Sequence, residues 1–285
     1  MNEVLRIAIQ KSGRLQEGSL KLLKDCGLSI SNGKDQLKTQ ASNFPVEVLF
    51  LRDDDIPQYI EDGVADAGII GENIFVEKQK QGEIIKRLDF AKCRLSMAVP
   101  RTTDYTGIGW FEGKNIATSY PTLVSDFLKR NRIKAGIHEI SGSVEIAPGI
   151  GLADAICDIV STGSTLLSNG LKEVELVMKS EAVLISRNLD AAKKQILNKL
   201  VFRMEAVQLA STNKYILLNC PNEAIESITR VIPGMKSPTI LPLSKEGWSS
   251  LHSVVDENDF WEKIDQLKKF GAEGILVIPI EKMIK

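Results

Sequence analysis

The chain has 285 residues, enough for about two domains with room for a third small one, and its 43% hydrophobic content makes a sizeable core available. Its 36 Lys and Arg residues nearly balance its 37 Asp and Glu residues, which leaves a net charge of -1. This balance argues against nucleic acid and anionic membranes as partners, so any phosphate-binding site must be local.

The cysteine and histidine content restricts the classes of site further. The cysteines are Cys26, Cys93, Cys157 and Cys220. Their wide spacing, with no CxxC pair, argues against a zinc site and against a disulfide framework. With His138 and His252 as the only histidines, a histidine-based triad or a two-histidine metal site has little support. The first residues do not form a signal peptide, and no apolar run approaches the roughly 20 residues of a membrane span, so we expect a cytoplasmic protein.

The first predicted element joins a strand to a basic turn. Leu5–Ile9 is predicted as a short strand, and the pattern after Lys11-Ser-Gly-Arg14 predicts a helix that ends at Gly27. A strand, a turn with two cations and a helix N-terminus form an arrangement that binds anions. The alternative is that Lys11 and Arg14 are solvated loop charges.

Two more strands follow in an alternating α/β pattern. Val46–Leu51 is predicted as a strand that runs into Arg52, and Asp55 before Pro57 is the expected N-cap of the next helix. Asp66–Gly71 is predicted as a strand whose small residues allow close approach of a flat ligand, or simply a buried strand with a tight end. Through about residue 90 the pattern predicts an open α/β sheet.

The chain is then predicted to cross into a second lobe. Leu95–Pro100 is the predicted crossing strand, followed by a strand at Asn115–Thr118 and a helix at Leu123–Asn131. The candidate caps of this helix are Ser119, Thr122 and Ser125. Glu145 lies on an otherwise apolar stretch, where it either faces solvent or belongs to a site.

The most informative stretch is Ala155–Val160 with the turn that follows. A short apolar strand interrupted by Asp158 leads to Ser161-Thr-Gly-Ser-Thr165 and then to the start of a helix. Backbone N–H groups, hydroxyls and the positive end of a helix dipole converge in such a turn, and phosphate is its usual ligand. Asp158 would repel a phosphate but suits vicinal hydroxyls, so the stretch predicts a ribose 5-phosphate site.

The last part of the chain has a different pattern. A strand at Val183–Ser186 and a long amphipathic helix at Asp190–Ala206 precede it. From about Val207 the predicted order is β-α-β-β-α-β, which is the ferredoxin-like arrangement. A small appended domain of this kind is expected to regulate or assemble rather than to catalyse.

Taken together, these segments resemble the long form of ATP phosphoribosyltransferase over essentially the whole chain. The segments that carry the resemblance are Arg6–Leu15, Arg52–Pro57, Gly68–Asn73, Cys93–Ser96, Ile116–Pro121, Gly142–Glu145, Gly151–Thr165 and Ser237–Leu243.

The resemblance implies an α/β fold with a two-lobed, periplasmic-binding-protein-like catalytic core and a C-terminal ferredoxin-like (βαββαβ) regulatory domain. The implied ranges are 1–95 with 184–206 for catalytic lobe I, 96–183 for lobe II with the PRPP loop, and 207–285 for a histidine-binding domain. It also implies homodimers that assemble into a homohexamer. The short form lacks the last domain and uses a separate partner, so no separate regulatory subunit is expected here.

The implied reaction is the first step of L-histidine biosynthesis, in which ATP and 5-phosphoribosyl 1-diphosphate (PRPP) give N1-(5-phosphoribosyl)-ATP and diphosphate. Mg²⁺ acts with the substrate phosphates, without protein metal ligands assigned, and histidine is the feedback inhibitor. The resemblance implies Lys11, Arg14 and Arg52 as the catalytic residues, which face the diphosphate or the ATP phosphates. It implies that PRPP is bound by Glu145, Asp154, Asp158, Ser161, Thr162, Gly163, Ser164 and Thr165, and ATP by Asp66, Gly68 and Gly71. The implied histidine-binding residues are Asn219, Met235, Ser237, Thr239, Val254 and Gly274, with Asn219 replacing an acidic residue of some family members.

Three other functions share part of this sequence pattern. A two-lobed solute-binding protein without catalysis shares the architecture, but it would need an export signal and no ribose 5-phosphate cradle. A transcriptional effector-binding module would need a helix-turn-helix or a basic patch, and the sequence offers neither. A transferase of a salvage base would share the cradle but not the C-terminal module.

Overall fold

The computed structural model describes residues 3–31 and 36–284. Within those residues the strands are β1 (Leu5–Gln10), β2 (Lys38–Gln40), β3 (Val46–Leu51), β4 (Ala67–Gly71), β5 (Glu83–Arg87), β6 (Cys93–Pro100), β7 (Asn115–Thr118), β8 (Gly136–Glu139), β9 (Ala155–Val160), β10 (Leu171–Ser180), β11 (Ala182–Ser186), β12 (Asn213–Pro221), β13 (Thr239–Pro242), β14 (Trp248–Asp256) and β15 (Glu273–Pro279). The helices are α1 (Arg14–Asp25), α2 (Ile56–Glu61), α3 (Glu72–Lys78), α4 (Pro121–Arg130), α5 (Ser164–Ser168), α6 (Ala191–Thr212), α7 (Ile225–Val231) and α8 (Glu257–Lys269).

The chain forms two compact units. The first comprises Met1–Lys24 with Leu28–Leu197, and the second comprises Asp25–Gly27 with Asn198–Lys285. The sequence placed the start of the C-terminal domain at residue 207, which lies inside α6, a continuous helix of 22 residues that begins in the first unit.

The first unit contains two sheets, each the centre of one lobe. The sheet of lobe I has the strand order β2-β3-β1-β4-β11-β5, with β1 parallel to β3 and β4. The sheet of lobe II has the order β10-β6-β9-β7-β8, with β9, β7 and β8 parallel to one another. Because parallel strands end at the same edge, residues that follow β1, β3 and β4 lie together, and open α/β sheets bind ligands at that edge.

One apolar cluster continues from lobe I into lobe II. Ile56 and Ile74 of lobe I share it with Ile116, Tyr120 and Leu123 of lobe II, and all five side chains are buried. Burial of this kind supplies most of the folding free energy, at about 25 cal/mol per Å² of apolar surface. The two lobes are therefore held together by packing as well as by the strands that cross between them.

The second unit is a four-stranded antiparallel sheet with two helices on one face. The strand order is β13-β14-β12-β15 and the chain order is β12-α7-β13-β14-α8-β15. Alternating residues such as Ile216 and Leu251 pack under α7 and α8, whereas Tyr215 and His252 lie on the other face. This is the ferredoxin-like arrangement, and the predicted fold class is confirmed.

Candidate active site

The turn predicted to bind phosphate lies between β9 and α5 and has the expected geometry. Gly163, the N-cap residue of α5, has a φ of 82°, which favours glycine, and it has no side chain that could cap the helix. Thr162 Oγ1 lies 3.0 Å from Ser164 Oγ. The first N–H groups of the helix and these hydroxyls therefore converge on one exposed spot, and residues 161–165 are called the cradle below.

Two carboxylates share the cleft with the cradle. Glu145, on a short 3₁₀ helix, and Asp158, on β9, line the same cavity of about 200 Å³ as residues 161–165. Burial raises the pKa of Asp158, and the negative charge of Glu145 raises it further, against a hydrogen bond from the Ile159 N–H that lowers it. Both groups are half-buried acceptors beside an anion site, an arrangement suited to a sugar with free hydroxyls.

Asp154 does not belong to this cleft, although the sequence grouped it with Asp158. It precedes β9, where its Oδ2 accepts a 2.9 Å hydrogen bond from the Asn115 N–H. It also lies 3.9 Å from Lys114 Nζ. Four residues of strand separate it from Asp158, about 13 Å at the usual rise, so its carboxylate holds the opposite end of the strand.

Arg14 reaches the cleft from the other lobe. It begins α1 directly after the β1 turn, and its side chain lines the same cavity as Glu145, Asp158 and the cradle. The sequence placed Arg14 opposite the cradle, and the structure brings it within the same 200 Å³ cavity.

Lys11 and Arg52 lie side by side at the carboxyl edge of the lobe I sheet. The Lys11 N–H donates a 2.7 Å hydrogen bond to the carbonyl of Leu51, the residue before Arg52. Both side chains are exposed. The structure therefore groups these two cations, and they follow the same two strands, β1 and β3, that the sequence predicted.

Two of the three residues expected to bind ATP make contacts within lobe I. Asp66 is 1% exposed at the amino end of β4, where it accepts hydrogen bonds from the Arg6 N–H (3.0 Å), Arg187 (2.8 Å) and Lys193 (2.9 Å). A Cβ at Gly68 would lie 2.7 Å from Ile56 and 2.9 Å from Ile60, so this glycine lets α2 pack on the sheet. Gly71 remains at the carboxyl edge, half-buried at the start of α3.

A cationic cavity that the sequence did not predict lies where the chain crosses between the lobes. This hinge pocket, of about 370 Å³, is lined by Glu72, Arg87, Lys92, Cys93, Arg94, Ser161, Lys179, Ser180 and Glu181. Arg94 pairs with Glu173 at 2.6 Å and donates a 3.1 Å hydrogen bond to the Ser161 carbonyl. The hinge pocket therefore adjoins the cradle through Ser161. The basic residues between Lys86 and Arg94 are the feature of the sequence that could have indicated this cavity.

Tyr120 is a second residue that sequence reasoning missed. Burial raises its pKa, and the negative charges of Asp158, Asp53 and Asp54 raise it further. Tyr120 is 8% exposed and packs in the apolar cluster that the two lobes share.

The residues expected to bind histidine fall into two groups in the second unit. Met235, Ser237, Thr239 and Val254 line one cavity of about 840 Å³, the effector pocket. Asn219 and Gly274 are not among its lining residues; they neighbour each other, since a Cβ at Gly274 would lie 3.3 Å from Asn219 Nδ2.

Two aromatic residues complete the effector pocket. Tyr215 and His252 also line it, with Tyr215 Oη 2.8 Å from His252 Nδ1. His252 Nε2 lies 3.1 Å from Ser250 Oγ, so a polar chain runs along this face of the sheet. Neither aromatic was predicted, because only strand pairing places residues 215 and 252 side by side.

A family model described as ATP phosphoribosyltransferase matches residues 52–206 of the chain. A second family model, described as "HisG, C-terminal domain", matches residues 210–282. A protein of Cytophaga hutchinsonii named ATP phosphoribosyltransferase is 61% identical, and the match covers 100% of both chains. The chain belongs to the ATP phosphoribosyltransferase family. It is thus a pentosyltransferase (EC 2.4.2.17) of a family of histidine biosynthesis.

Other matches agree with membership of the ATP phosphoribosyltransferase family. A protein of Phocaeicola vulgatus with the same name is 61% identical over 99% of this chain and 100% of its own. A structure described as the ATP phosphoribosyl transferase (HisG:HisZ) complex from Thermotoga maritima is 26% identical, with a TM-score of 0.60 over 71% of this chain and 99% of that one. Tv2483 bound to L-arginine shares the fold at 12% identity, with a TM-score of 0.51 over 74% of this chain and 87% of that one.

No helix within residues 3–31 and 36–284 has the length and hydropathy that a membrane span requires.

Proposed function

We propose that this member of the ATP phosphoribosyltransferase family joins ATP to PRPP, with release of diphosphate, as the first step of L-histidine biosynthesis. The observation that carries the proposal is the cleft in which Arg14 of lobe I faces the cradle, Glu145 and Asp158 of lobe II. That set of groups matches PRPP part by part.

In the proposed complex the cradle binds the 5-phosphate of PRPP. The N–H groups at the start of α5 and the hydroxyls of Ser161, Thr162, Ser164 and Thr165 supply donors for its oxygens. Asp158 and Glu145 accept hydrogen bonds from the ribose hydroxyls. Arg14 would then face the diphosphate, at the other end of the sugar, with Lys11 and Arg52 at the neighbouring strand ends.

The reaction asks the protein for positioning and charge stabilisation. Adenine N1 attacks the anomeric carbon while the bond to diphosphate breaks, through a transition state with oxocarbenium character. Negative charge grows on the leaving group, so a cation fixed at that position lowers the barrier without proton transfer. Two substrates held in line on facing lobes also remove much of the entropic cost of the bimolecular step.

We propose that the ATP phosphates occupy the hinge pocket. Arg87, Lys92, Arg94 and Lys179 line it, and it adjoins the cradle at Ser161. This position replaces the assignment of Asp66 and Gly68, whose partners are other parts of lobe I. Gly71, next to Glu72 of the pocket, stays a candidate contact.

Magnesium fits the donors of the cleft. Protein-bound Mg²⁺ is commonly held by one or two carboxylates together with substrate phosphates, and Asp158 and Glu145 line the cleft. Among the described residues no group of three or more His, Cys, Asp or Glu side chains is placed to hold an ion. In the proposed complex the ion would arrive with the substrate phosphates, where it would neutralise charge on the diphosphate.

Histidine is proposed as the feedback inhibitor, bound in the effector pocket. Ser237, Thr239 and Lys236 offer donors for its carboxylate, and Tyr215 and His252 offer polar contacts. The proposal also includes assembly of homodimers into a homohexamer in the cytoplasm, where histidine is made. Since the C-terminal family model matches residues 210–282, we expect no separate regulatory subunit.

The deciding experiment is an assay of the purified chain with ATP and PRPP that follows the ultraviolet absorbance of the product. We expect Mg²⁺-dependent turnover that histidine suppresses. Tight binding of a small ligand without any turnover of PRPP would favour a solute-binding protein instead.

Replacing Thr162 and Thr165 together by alanine tests the cradle. We expect PRPP affinity to fall by about a hundredfold or more, because hydrogen bonds to a charged group contribute about 1.5–3 kcal/mol each. Both side chains are exposed, so the thermal unfolding midpoint should barely move. Unchanged PRPP affinity in a calorimetric titration would show that the phosphate binds elsewhere.

The pH dependence tests the carboxylate pair. Since burial and Glu145 raise the pKa of Asp158 above 3.8, it takes up a proton at a higher pH than an exposed aspartate, and kcat/KM for PRPP should fall there. Glu145→Gln removes a negative charge and lowers the pKa of Asp158, so the fall in kcat/KM at acid pH should move to lower pH. If this fall occurs at the same pH in the variant, the charge of Glu145 does not act on Asp158.

A further inference from the structure

A buried carboxylate of lobe I holds the start of a helix in lobe II. Glu77, on α3, is 8% exposed. Its Oε1 accepts a 2.9 Å hydrogen bond from the Thr122 N–H, and its Oε2 accepts a 2.9 Å hydrogen bond from the Leu123 N–H. Both donors belong to the first turn of α4, so the contact joins the two lobes.

This contact replaces the cap that α4 would otherwise take from its own sequence. Tyr120 precedes the helix without a side-chain capping bond, and the Ser119 hydroxyl donates to the Ile140 carbonyl at 2.6 Å. The predicted caps Ser119, Thr122 and Ser125 are therefore wrong for this helix. A carboxylate at a helix N-terminus satisfies free N–H groups and interacts favourably with the helix dipole.

The surroundings make this contact selective for one arrangement of the lobes. Ile74, one turn before Glu77, packs in the same apolar cluster as Leu123 and Val124. In such surroundings an ionised carboxylate without partners is strongly unfavourable, as is the buried Leu123 N–H without an acceptor. A shift of α4 away from α3 by more than about 1 Å would break both bonds, given the short range of a hydrogen bond.

The position of α4 matters for the cleft because Tyr120 directly precedes it. Tyr120 packs in the apolar cluster that both lobes share, and the cradle belongs to the same lobe as α4. Arg14 belongs to lobe I, as Glu77 does. The distance between Arg14 and the cradle therefore depends on how α3 and α4 are held.

We infer that Glu77 is a positioning residue, which fixes α4 against lobe I and so sets Arg14 at its working distance from the cradle. The expected kinetic effect of Glu77 rests on the proposed function, whereas the contact between Glu77 and α4 does not.

The test uses Glu77→Ala and Glu77→Gln in the full chain, each alone and combined with Arg14→Ala. We expect Glu77→Ala to lower kcat/KM about tenfold, corresponding to about 1.4 kcal/mol, and Glu77→Gln to lower it less, because the amide keeps one acceptor. In the Arg14→Ala background the loss from Glu77→Ala should nearly vanish, since Arg14 is the group that is mispositioned.

Asp256→Asn is the matched control. Asp256 caps α8 through the Asn258 and Asp259 N–H groups, a carboxylate cap within one unit and outside the cleft. It should change the stability of that unit without changing kcat. Hydrogen exchange at Thr122 and Leu123 should quicken in Glu77→Ala and stay slow in Asp256→Asn.

The outcomes separate the inference from the proposed function. The positioning role would be overturned if Glu77→Ala lowered kcat/KM by the same factor in the wild-type and Arg14→Ala backgrounds. It would also be overturned if folded Glu77→Ala had wild-type kinetics. If the wild-type chain formed no product, the proposed function would fail. Slow exchange at Thr122 and Leu123 in Glu77→Ala would then overturn the contact, and quickened exchange would support it.

Discussion

Arg14→Ala is expected to lower kcat/KM by about 10²- to 10³-fold, the largest loss from any single change in the cleft. Removing one group that stabilises transition-state charge typically costs a factor of this size. Arg14 lines the cavity that the cradle, Glu145 and Asp158 form, and it is the cation among that cavity's lining residues. Steady-state kinetics with PRPP and ATP varied separately would measure the loss.

The division between kcat and KM shows what Arg14 does. If it acts on charge that grows as diphosphate leaves, kcat and kcat/KM fall together. Arg14→Lys should recover part of the activity, since it keeps the charge and loses the planar fork. Lys24→Ala is the control, because Lys24 is an exposed cation in the last turn of the same helix. A rise in PRPP KM with unchanged kcat would make Arg14 a ground-state contact only.

The cradle was predictable because all its parts are local. Ser161–Thr165 is one run of small, hydroxyl-bearing residues between a strand and a helix, and Gly163 is where the turn needs a positive φ. Asp158 lies close enough in sequence to share the site. Local chemistry of this kind needs no knowledge of the rest of the fold.

Strand direction explains why some of the predicted site residues lie away from the cleft. Asp66 and Gly71 bracket the same strand, as Asp154 and Ser161 bracket β9, and a strand of five or six residues carries its two ends about 15–20 Å apart. The sequence grouped each pair by proximity along the chain. Open α/β sheets bind ligands at the carboxyl ends of their strands, where Gly71 and Ser161 lie. Asp66 and Asp154 lie at the amino ends, at the opposite edge.

Long-range contacts account for what the sequence could not predict. The hinge pocket collects side chains from β5, β6, β10 and the start of α3, and the cap of α4 comes from a residue 45 positions earlier. Nothing in residues 119–125 indicates that their caps lie in the other lobe. In the second unit, Asn219 and Gly274 lie apart from the effector pocket because β12 presents Tyr215, not Asn219, beside Val254.

Asp66→Ala is expected to reduce the free energy of unfolding by about 3 kcal/mol, because it leaves buried or half-buried partners without their acceptor. Arg187 and Lys193 are only 33% and 23% exposed, and both point at Asp66 Oδ1. The Arg6 N–H also loses its partner. Denaturant unfolding, followed by hydrogen exchange in β1 and β4, would measure the loss in the unit that contains them.

The same variant decides between a structural and a nucleotide-binding role for Asp66. Asp66→Asn should cost less than Asp66→Ala, since an amide oxygen still accepts hydrogen bonds from two of the partners. Asp54→Ala is the control. The Asp54 side chain is 60% exposed, so its ion pair with Lys78 should contribute less than about 1 kcal/mol to the free energy of unfolding. Per folded molecule, Asp66→Ala should keep the wild-type KM for ATP, because its carboxylate lies at the amino end of β4. A raised KM for ATP with an unchanged free energy of unfolding would show that Asp66 contacts the nucleotide.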